Sequence, residues 1–253
     1  MESIIHSIVT PMQATVVATI FTFYRGIILT LAPNRSSKTF GSASNISPIN
    51  KEMLRRAGIG LLAIAIRVYC VVLNDFGHRL ASVINQSMWT AKLLETLLNL
   101  EENNAVEPID AIVLFTMLVG TYVAIYKEEY IYTVLKVDGA LGLCSGTLLF
   151  LFPNQFVKNK LEATKTDALT HIYVNTHGMA LVLTGSYLTS VGFGMDAQNA
   201  FGYNALLASV LQLVKVFVIE DIENVKDIDS KKRKTQFCIR SCIFALLALI
   251  ILI

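Results

Sequence analysis

The segment Cys144-Ser145-Gly146-Thr147-Leu148-Leu149-Phe150-Leu151-Phe152-Pro153-Asn154 matches an earlier one, Tyr24-Arg25-Gly26-Ile27-Ile28-Leu29-Thr30-Leu31-Ala32-Pro33-Asn34, at an offset of 120 residues. The same offset aligns, without a gap, Gly58 with Gly178, Leu61 with Leu181 and Val71 with Val191. Each copy predicts an apolar helix that ends at Pro-Asn, then a polar loop, then a second apolar helix that begins near a glycine. This pattern is typical of membrane proteins. The sequence therefore predicts a duplication, with a first four-helix membrane repeat over 1–126 and a second over 127–253.

Composition places the chain in a bilayer. Of its 253 residues, 54% are hydrophobic and only 16% are charged, and the mean hydropathy is +0.56, whereas soluble domains carry about 25% charged residues. The net charge of +2 is too small for a nucleic-acid partner. The four cysteines lie in apolar segments without metal-binding spacing, so we interpret them as small buried hydrophobes and predict no metal or cofactor. The first apolar segment is long enough to be a retained span.

Segments of about 20 apolar residues predict an all-α, polytopic membrane protein. The eight predicted spans are roughly 12–32, 54–73, 80–99, 109–126, 131–152, 171–192, 199–219 and 236–253. The third is the most polar, and the alternative for it is a helix that lies in the interface. We keep it as a span because its repeat partner, 199–219, is apolar, and because removing it would put corresponding loops on opposite faces.

Four spans per copy predict a parallel repeat, related by an axis along the membrane normal. Lys and Arg are concentrated in the loops 33–56, 100–108, 153–170 and 220–235, whereas the other face holds only Arg79 and Lys127. The positive-inside rule then makes the basic face cytoplasmic, or matrix or stroma in an organelle, with both termini on the opposite side. The basic run before the last span consists of Lys231, Lys232, Arg233 and Lys234. Its simplest interpretation is a stop signal that keeps this loop on the basic face, and the more specific alternative is a binding site for anionic lipid.

Ionisable residues inside apolar spans are costly and are the places where this chain could carry a function. The candidates are Arg25, Arg67, Glu95, Asp138, His171 and His177. Similar depths permit two ion pairs, Arg25 with Glu95 and Arg67 with Asp138. These groups either line a solute path or tie helices together. We favour contacts that tie helices together. In the repeat alignment Arg25 corresponds to Ser145 and Arg67 to Tyr187, so the charges are not shared by the two copies, as a symmetric solute path would require.

Histidine placement gives little support to a cofactor. His78 and His171 begin spans on opposite faces, which is a poor arrangement for sharing one haem iron. One helical face carries Asp167, His171 and Asn175. Together with His177, these residues suggest a lipid-modifying or lipid-binding enzyme, a hypothesis kept beside the two functions given below. The sequence contains no Ser-His-Asp arrangement, Gly-rich phosphate loop or HExxH motif.

One stretch suggests a family. Gly139-Ala140-Leu141-Gly142 through Gly146 to Phe152-Pro153, followed by His177-Gly178-Met179-Ala180-Leu181-Val182-Leu183-Thr184-Gly185, resembles the four-helix modules of DoxX-like membrane proteins, a group whose relatives include tumour protein p53-inducible protein 11. His177 stands where the family usually has an arginine, although Arg56 precedes Ala57-Gly58 in the first copy. The resemblance implies a fold and no activity, so no catalytic residue follows from it.

These observations predict an integral membrane protein without a catalytic site, in contact with the bilayer and with other membrane subunits. The favoured function is an accessory or scaffold subunit of a larger complex. The alternative is a carrier or channel for a small solute or ion, whose path runs between the two repeats with Arg25, Arg67 and Asp138 along it.

Overall fold

The computed structural model describes residues 9–35, 46–98, 108–155, 168–219 and 230–253. Within these ranges all regular structure is helical. Eight long helices follow one another: α1 (Pro11–Leu31), α2 (Pro48–Val68), α3 (Gly77–Leu98), α4 (Pro108–Tyr126), α5 (Ile131–Leu151), α6 (Ala168–Gly192), α7 (Ala197–Val214) and α8 (Ser230–Leu252). Tyr69–Leu73 and Lys215–Ile219 extend α2 and α7 as single π-helical turns.

Each predicted span overlaps one helix, but two helices begin earlier than expected. α2 starts at Pro48 rather than near residue 54, because Ser47 accepts a hydrogen bond from the Asn50 backbone N–H and proline occupies the first turn. α8 starts at Ser230 rather than near 236, so the predicted basic stop forms the first turns of the helix. The length of an apolar segment therefore predicts the part of a helix that can lie in lipid, and the helix itself can extend beyond that part.

Among the described residues, five helical stretches are long and apolar enough to cross a membrane: Pro11–Leu31, Pro48–Leu73, Glu128–Leu151, Ala197–Val218 and Arg233–Leu252. A shorter apolar stretch covers Ala111–Tyr126. Large hydrophobic side chains also face outward, among them Phe115 on α4 and Leu246 on α8, as expected where lipid takes the place of water. The described part of the chain is therefore an all-helical bundle with the composition of a multi-pass membrane protein.

Consecutive helices pack as hairpins, α1 with α2, α3 with α4, α5 with α6 and α7 with α8. α2 and α6 pack against each other between these hairpins. We call the end of the bundle where α2, α4, α6 and α8 begin the basic end, and the other the opposite end. At the opposite end, Gly194 has a φ of +93° in the turn between α6 and α7, and Asp196 caps α7 by accepting from the N–H groups of Gln198 and Asn199.

Glycines permit the closest helix contacts. A Cβ on Gly146 of α5 would lie 2.5 Å from the Val182 nitrogen of α6, and one on Gly178 would lie 2.5 Å from the Phe150 nitrogen. In the first hairpin a Cβ on Gly58 would lie 2.7 Å from the Gly26 carbonyl oxygen. These helices approach backbone to backbone, which a larger residue at these positions prevents.

Candidate functional site: buried charges and two cavities

One buried ion cluster joins α2 to α3 near the basic end. Glu52 Oε1 lies 2.9 Å from Arg56 Nε, and Glu52 Oε2 lies 2.6 Å from Lys92 Nζ. Thr96 donates its hydroxyl to Glu52 over 3.1 Å, and Lys92 also contacts Glu95 at 3.0 Å. Both Glu52 and Lys92 are about 95% buried, at 5% and 6% exposure. Opposite charges in direct contact offset the cost of removing each from water.

A second polar group lies where α2, α3 and α5 meet. Arg67, only 1% exposed, donates to the Ser82 hydroxyl over 2.9 Å and to the His78 carbonyl over 3.4 Å. Asp138 accepts a hydrogen bond of 3.0 Å from the Gln86 side-chain amide. Arg67 and Asp138 are close enough to interact electrostatically, but each makes its hydrogen bonds to α3. This arrangement ties three helices together.

The two ion pairs that similar depths permitted are not formed among the described residues. Glu95 contacts Arg55 at 3.5 Å and Lys92 at 3.0 Å and does not pair with Arg25. Arg67 forms no direct ion pair with Asp138 within the described residues. Depth along a helix does not fix which way its side chains face around the helix axis, and α3 turns its polar side toward α2 and α5.

A cavity of about 270 Å³ lies between α1, α2, α6, α7 and α8. We call it the basic-end cavity, because the cations that line it lie in the halves of α1, α7 and α8 nearer the basic end; the lining as a whole extends along the bundle, from Ile64 and Phe201 to Leu29 and Lys215. Its walls are mainly apolar, with Leu61, Leu183 and Phe201 among them. Three cationic side chains also line it: Arg25, Lys215 and Arg240.

The polar residues of this cavity differ in their surroundings. Lys215 is buried at 1% exposure and donates to the Thr176 hydroxyl and, over 3.3 Å, to the Ile172 carbonyl. Arg25 and Arg240 are each partly exposed and close enough to repel each other. The Arg240 guanidinium also stacks over the Phe237 ring at 5.6 Å. Three cations thus line one mainly apolar cavity, and two of them, Arg25 and Arg240, lie near each other.

A second cavity, the opposite-end cavity, lies beyond the end of α2 and beside the turn between α6 and α7. Its polar lining comes from His78, Tyr132, Asp196 and Gln198, and Val71 and Val72 complete one wall. Its volume is about 390 Å³. No Lys or Arg lines it within the described residues, so the two cavities differ in charge.

The remaining sequence candidates lie on α6 and α8. His177 is buried in α6 and His171 is half-buried one turn and a half earlier, while Asp167 lies outside the described residues. Lys231 is exposed, Lys234 is half-buried and Arg233 is buried over the Phe237 ring at 5.2 Å; the side chain of Lys232 is outside the described set. No group of three or more His, Cys, Asp or Glu residues suited to a metal occurs in the described ranges.

Sequence reasoning missed three of the residues that matter here. Glu52 was assigned to a loop, although its spacing of four from Arg56 is that of a helical ion pair. Lys215 and Arg240 lie inside apolar stretches that were predicted as spans, and intramembrane cations are the signal that identifies such positions. Of the six predicted intramembrane candidates, only Arg25 lines the basic-end cavity.

The class defined by the described part of the fold is an all-helical bundle with five helices long and apolar enough to cross a membrane, with buried charges and two cavities. The chain matches no protein-family model, no curated protein and no solved structure. The resemblance to DoxX-like modules accordingly stays a prediction.

Proposed function

We propose that this protein is a membrane carrier that moves a small molecule between its two ends, along a path between α1–α2 and α6–α8. The observation that carries this proposal is the pair of cavities, one that extends along the inside of the bundle from its basic end and one at the opposite end. One buried apolar cluster reaches both cavities, and in this proposal it is the layer that keeps them apart in the closed state of an alternating-access carrier.

That layer is continuous with both cavities. Ile64, Leu183 and Phe201 line the basic-end cavity and belong to the same buried cluster as Ala197, which lines the opposite-end cavity. Tyr187 meets Phe201 edge to face within this cluster, with ring centroids 6.4 Å apart. In this proposal, separation of these side chains joins the two cavities.

The proposal includes eight membrane spans arranged as two parallel four-helix repeats. Gly60 of α2 packs against Ala180 of α6, and these two residues correspond at the offset of 120. The close glycine contacts of Gly26 with Gly58 and of Gly146 with Gly178 also correspond at that offset. A central α2–α6 crossing between equivalent positions is what a duplicated carrier would use as its pivot. The basic end then faces the cytoplasm, matrix or stroma.

Reconstituted vesicles test the carrier directly. The full chain is incorporated into phosphatidylcholine vesicles and flux is followed for chloride, potassium, inorganic phosphate, succinate and a fluorescent lysophospholipid. We expect at least one of these to cross faster than in protein-free vesicles. Ala208→Phe should abolish that flux, because Ala208 lines the basic-end cavity and the added ring fills it.

The matched control is Ala111→Phe, which adds the same ring on the exposed face of α4 and should leave flux unchanged. Both variants must elute as the unaltered protein does on size exclusion. Absence of flux for the whole panel, or equal flux in Ala208→Phe and the unaltered chain, would overturn the proposal.

The second candidate is the accessory or scaffold subunit. The bonds made by the buried charges favour this candidate. Glu52, Lys92 and Arg67 bond to neighbouring helices of the same chain, as expected in a rigid bundle. Gentle extraction from the native membrane, native-size separation and mass spectrometry test it. Co-migration with other subunits at fixed stoichiometry would support it, and migration of the chain alone would exclude it.

A further inference from the structure

We propose that the basic-end cavity binds a single-chain amphiphile with an anionic carboxylate or phosphate headgroup, taken from the surrounding bilayer. This assignment rests on the same cavity as the proposed carrier and names the class of molecule that it would move. Binding is measured without transport, so the two proposals can fail separately.

The headgroup assignment follows from charge. Arg25, Lys215 and Arg240 all line the cavity, and its described lining contains no Asp or Glu. Arg25 and Arg240 repel each other across a largely apolar space, where charges interact more strongly than in water. An anion between them would replace repulsion by two attractions, and guanidinium groups bind carboxylate or phosphate with paired hydrogen bonds.

The chain assignment follows from the rest of the wall. Apart from the polar residues Thr22, Thr176, Asn204 and Gln212, the uncharged lining is apolar, and its aliphatic and aromatic side chains include Leu29, Leu61, Ile64, Met179, Leu183 and Phe201. An acyl chain gains about 0.8 kcal/mol for each buried CH₂ group. The cavity volume of about 270 Å³ lies near the lower limit of small-molecule sites, about 300 Å³, which favours one chain over two.

The source assignment follows from where the cavity reaches the surface. Phe21 of α1 and Phe244 of α8 meet edge to face, with centroids 5.7 Å apart, and both line the cavity. Phe21 and Tyr24 are exposed on the outer side of α1, toward lipid. A molecule from the adjacent leaflet can therefore enter sideways between α1 and α8 and keep its headgroup next to Arg25 and Arg240.

The test is equilibrium binding of radiolabelled dodecyl phosphate to the full chain in phosphatidylcholine nanodiscs, corrected with empty nanodiscs. We expect saturable binding that dodecanoate displaces. Inorganic phosphate, acetate and dodecyltrimethylammonium should compete poorly, because each lacks either the chain or the negative charge. Arg240→Gln should weaken binding by about tenfold or more, the loss expected for a charged hydrogen bond.

Arg79→Gln is the matched control, since Arg79 lies at the opposite end and pairs with Glu128; its binding should equal that of the unaltered chain. Arg240→Lys, which keeps the charge, should recover part of the affinity and shows that loss in Arg240→Gln does not reflect misfolding.

Equal competition by dodecyltrimethylammonium would overturn the headgroup assignment, and equal competition by inorganic phosphate would overturn the chain assignment. Stronger competition by two-chain phosphatidic acid would overturn the single-chain assignment. Absence of saturable binding to monodisperse protein would overturn the whole proposal.

Discussion

Lys92 Nζ of α3 lies 2.6 Å from Glu52 Oε2 of α2, and both side chains are buried. Glu52 also accepts from Arg56 and from Thr96, so one carboxylate organises the contact between two helices. α3 is among the more polar of the long helices, and this contact explains how it is held in the bundle.

Glu52→Gln should destabilise the protein strongly. The substitution removes the negative charge between Lys92 and Arg56 and leaves both cations buried, which costs about 3–5 kcal/mol where one partner of a buried pair is lost. The measurement is the fraction of detergent-solubilised protein that stays monodisperse after heating. Glu128→Gln is the control, because its ion pair with Arg79 is exposed and such pairs contribute about 0–1 kcal/mol. Equal melting of the two variants would contradict the role assigned to Glu52.

Gly146→Leu should separate α5 from α6. Even the first added carbon would lie 2.5 Å from the Val182 nitrogen and 2.9 Å from the Gly178 carbonyl oxygen, so the helix backbones must move apart. Overpacking typically costs about 1–3 kcal/mol, and we expect at least that much, seen as earlier thermal loss of the monodisperse protein. Ala140→Leu adds a larger residue on the exposed side of the same helix and should have little effect; a similar loss there would show that α5 tolerates no change on either face.

Arg67 and Asp138 should be energetically coupled although they do not touch. Arg67 bonds to Ser82 and Asp138 to Gln86, and the two charges interact through the interior. In a double-mutant cycle of Arg67→Gln and Asp138→Asn, the double variant should be more stable than the sum of the single losses predicts, by about 0.5–3 kcal/mol. Chemical unfolding in mixed micelles gives the three values. Strict additivity would mean that each side chain acts only through its bond to α3.

The orientation of the chain gives a fourth prediction. In sealed vesicles of known sidedness, a membrane-impermeant thiol reagent should label Lys231→Cys and Asn199→Cys from opposite sides, because these exposed residues lie at the two ends of the bundle. The background is a chain in which Cys70, Cys144, Cys238 and Cys242 are replaced. Lys231→Cys should react only from the cytoplasmic, matrix or stromal side. Labelling of both positions from one side would contradict the membrane arrangement proposed here.

The location of the helices followed from the sequence. Apolar length, Pro33 and Pro153 at the ends of two apolar helices, and the glycines near the starts of others are local signals, and a helix is found at every predicted position. The glycines at 26, 58, 146 and 178, which correspond in pairs at the offset of 120, all lie at close helix contacts. Local signals suffice here because an apolar segment without water must satisfy its backbone hydrogen bonds within its own helix.

The site depended on the tertiary structure. The sequence gives the depth of each charge but not the rotation of each helix about its axis. Depth therefore permitted a pair of Arg25 with Glu95, whereas Glu95 contacts Arg55 and Lys92. The basic-end cavity needs five helices from both halves of the chain to exist at all. By itself the sequence determined an all-helical membrane protein. Only the tertiary structure decided which cations line the basic-end cavity, because packing of α2 against α6 fixes the orientation of the helices around them.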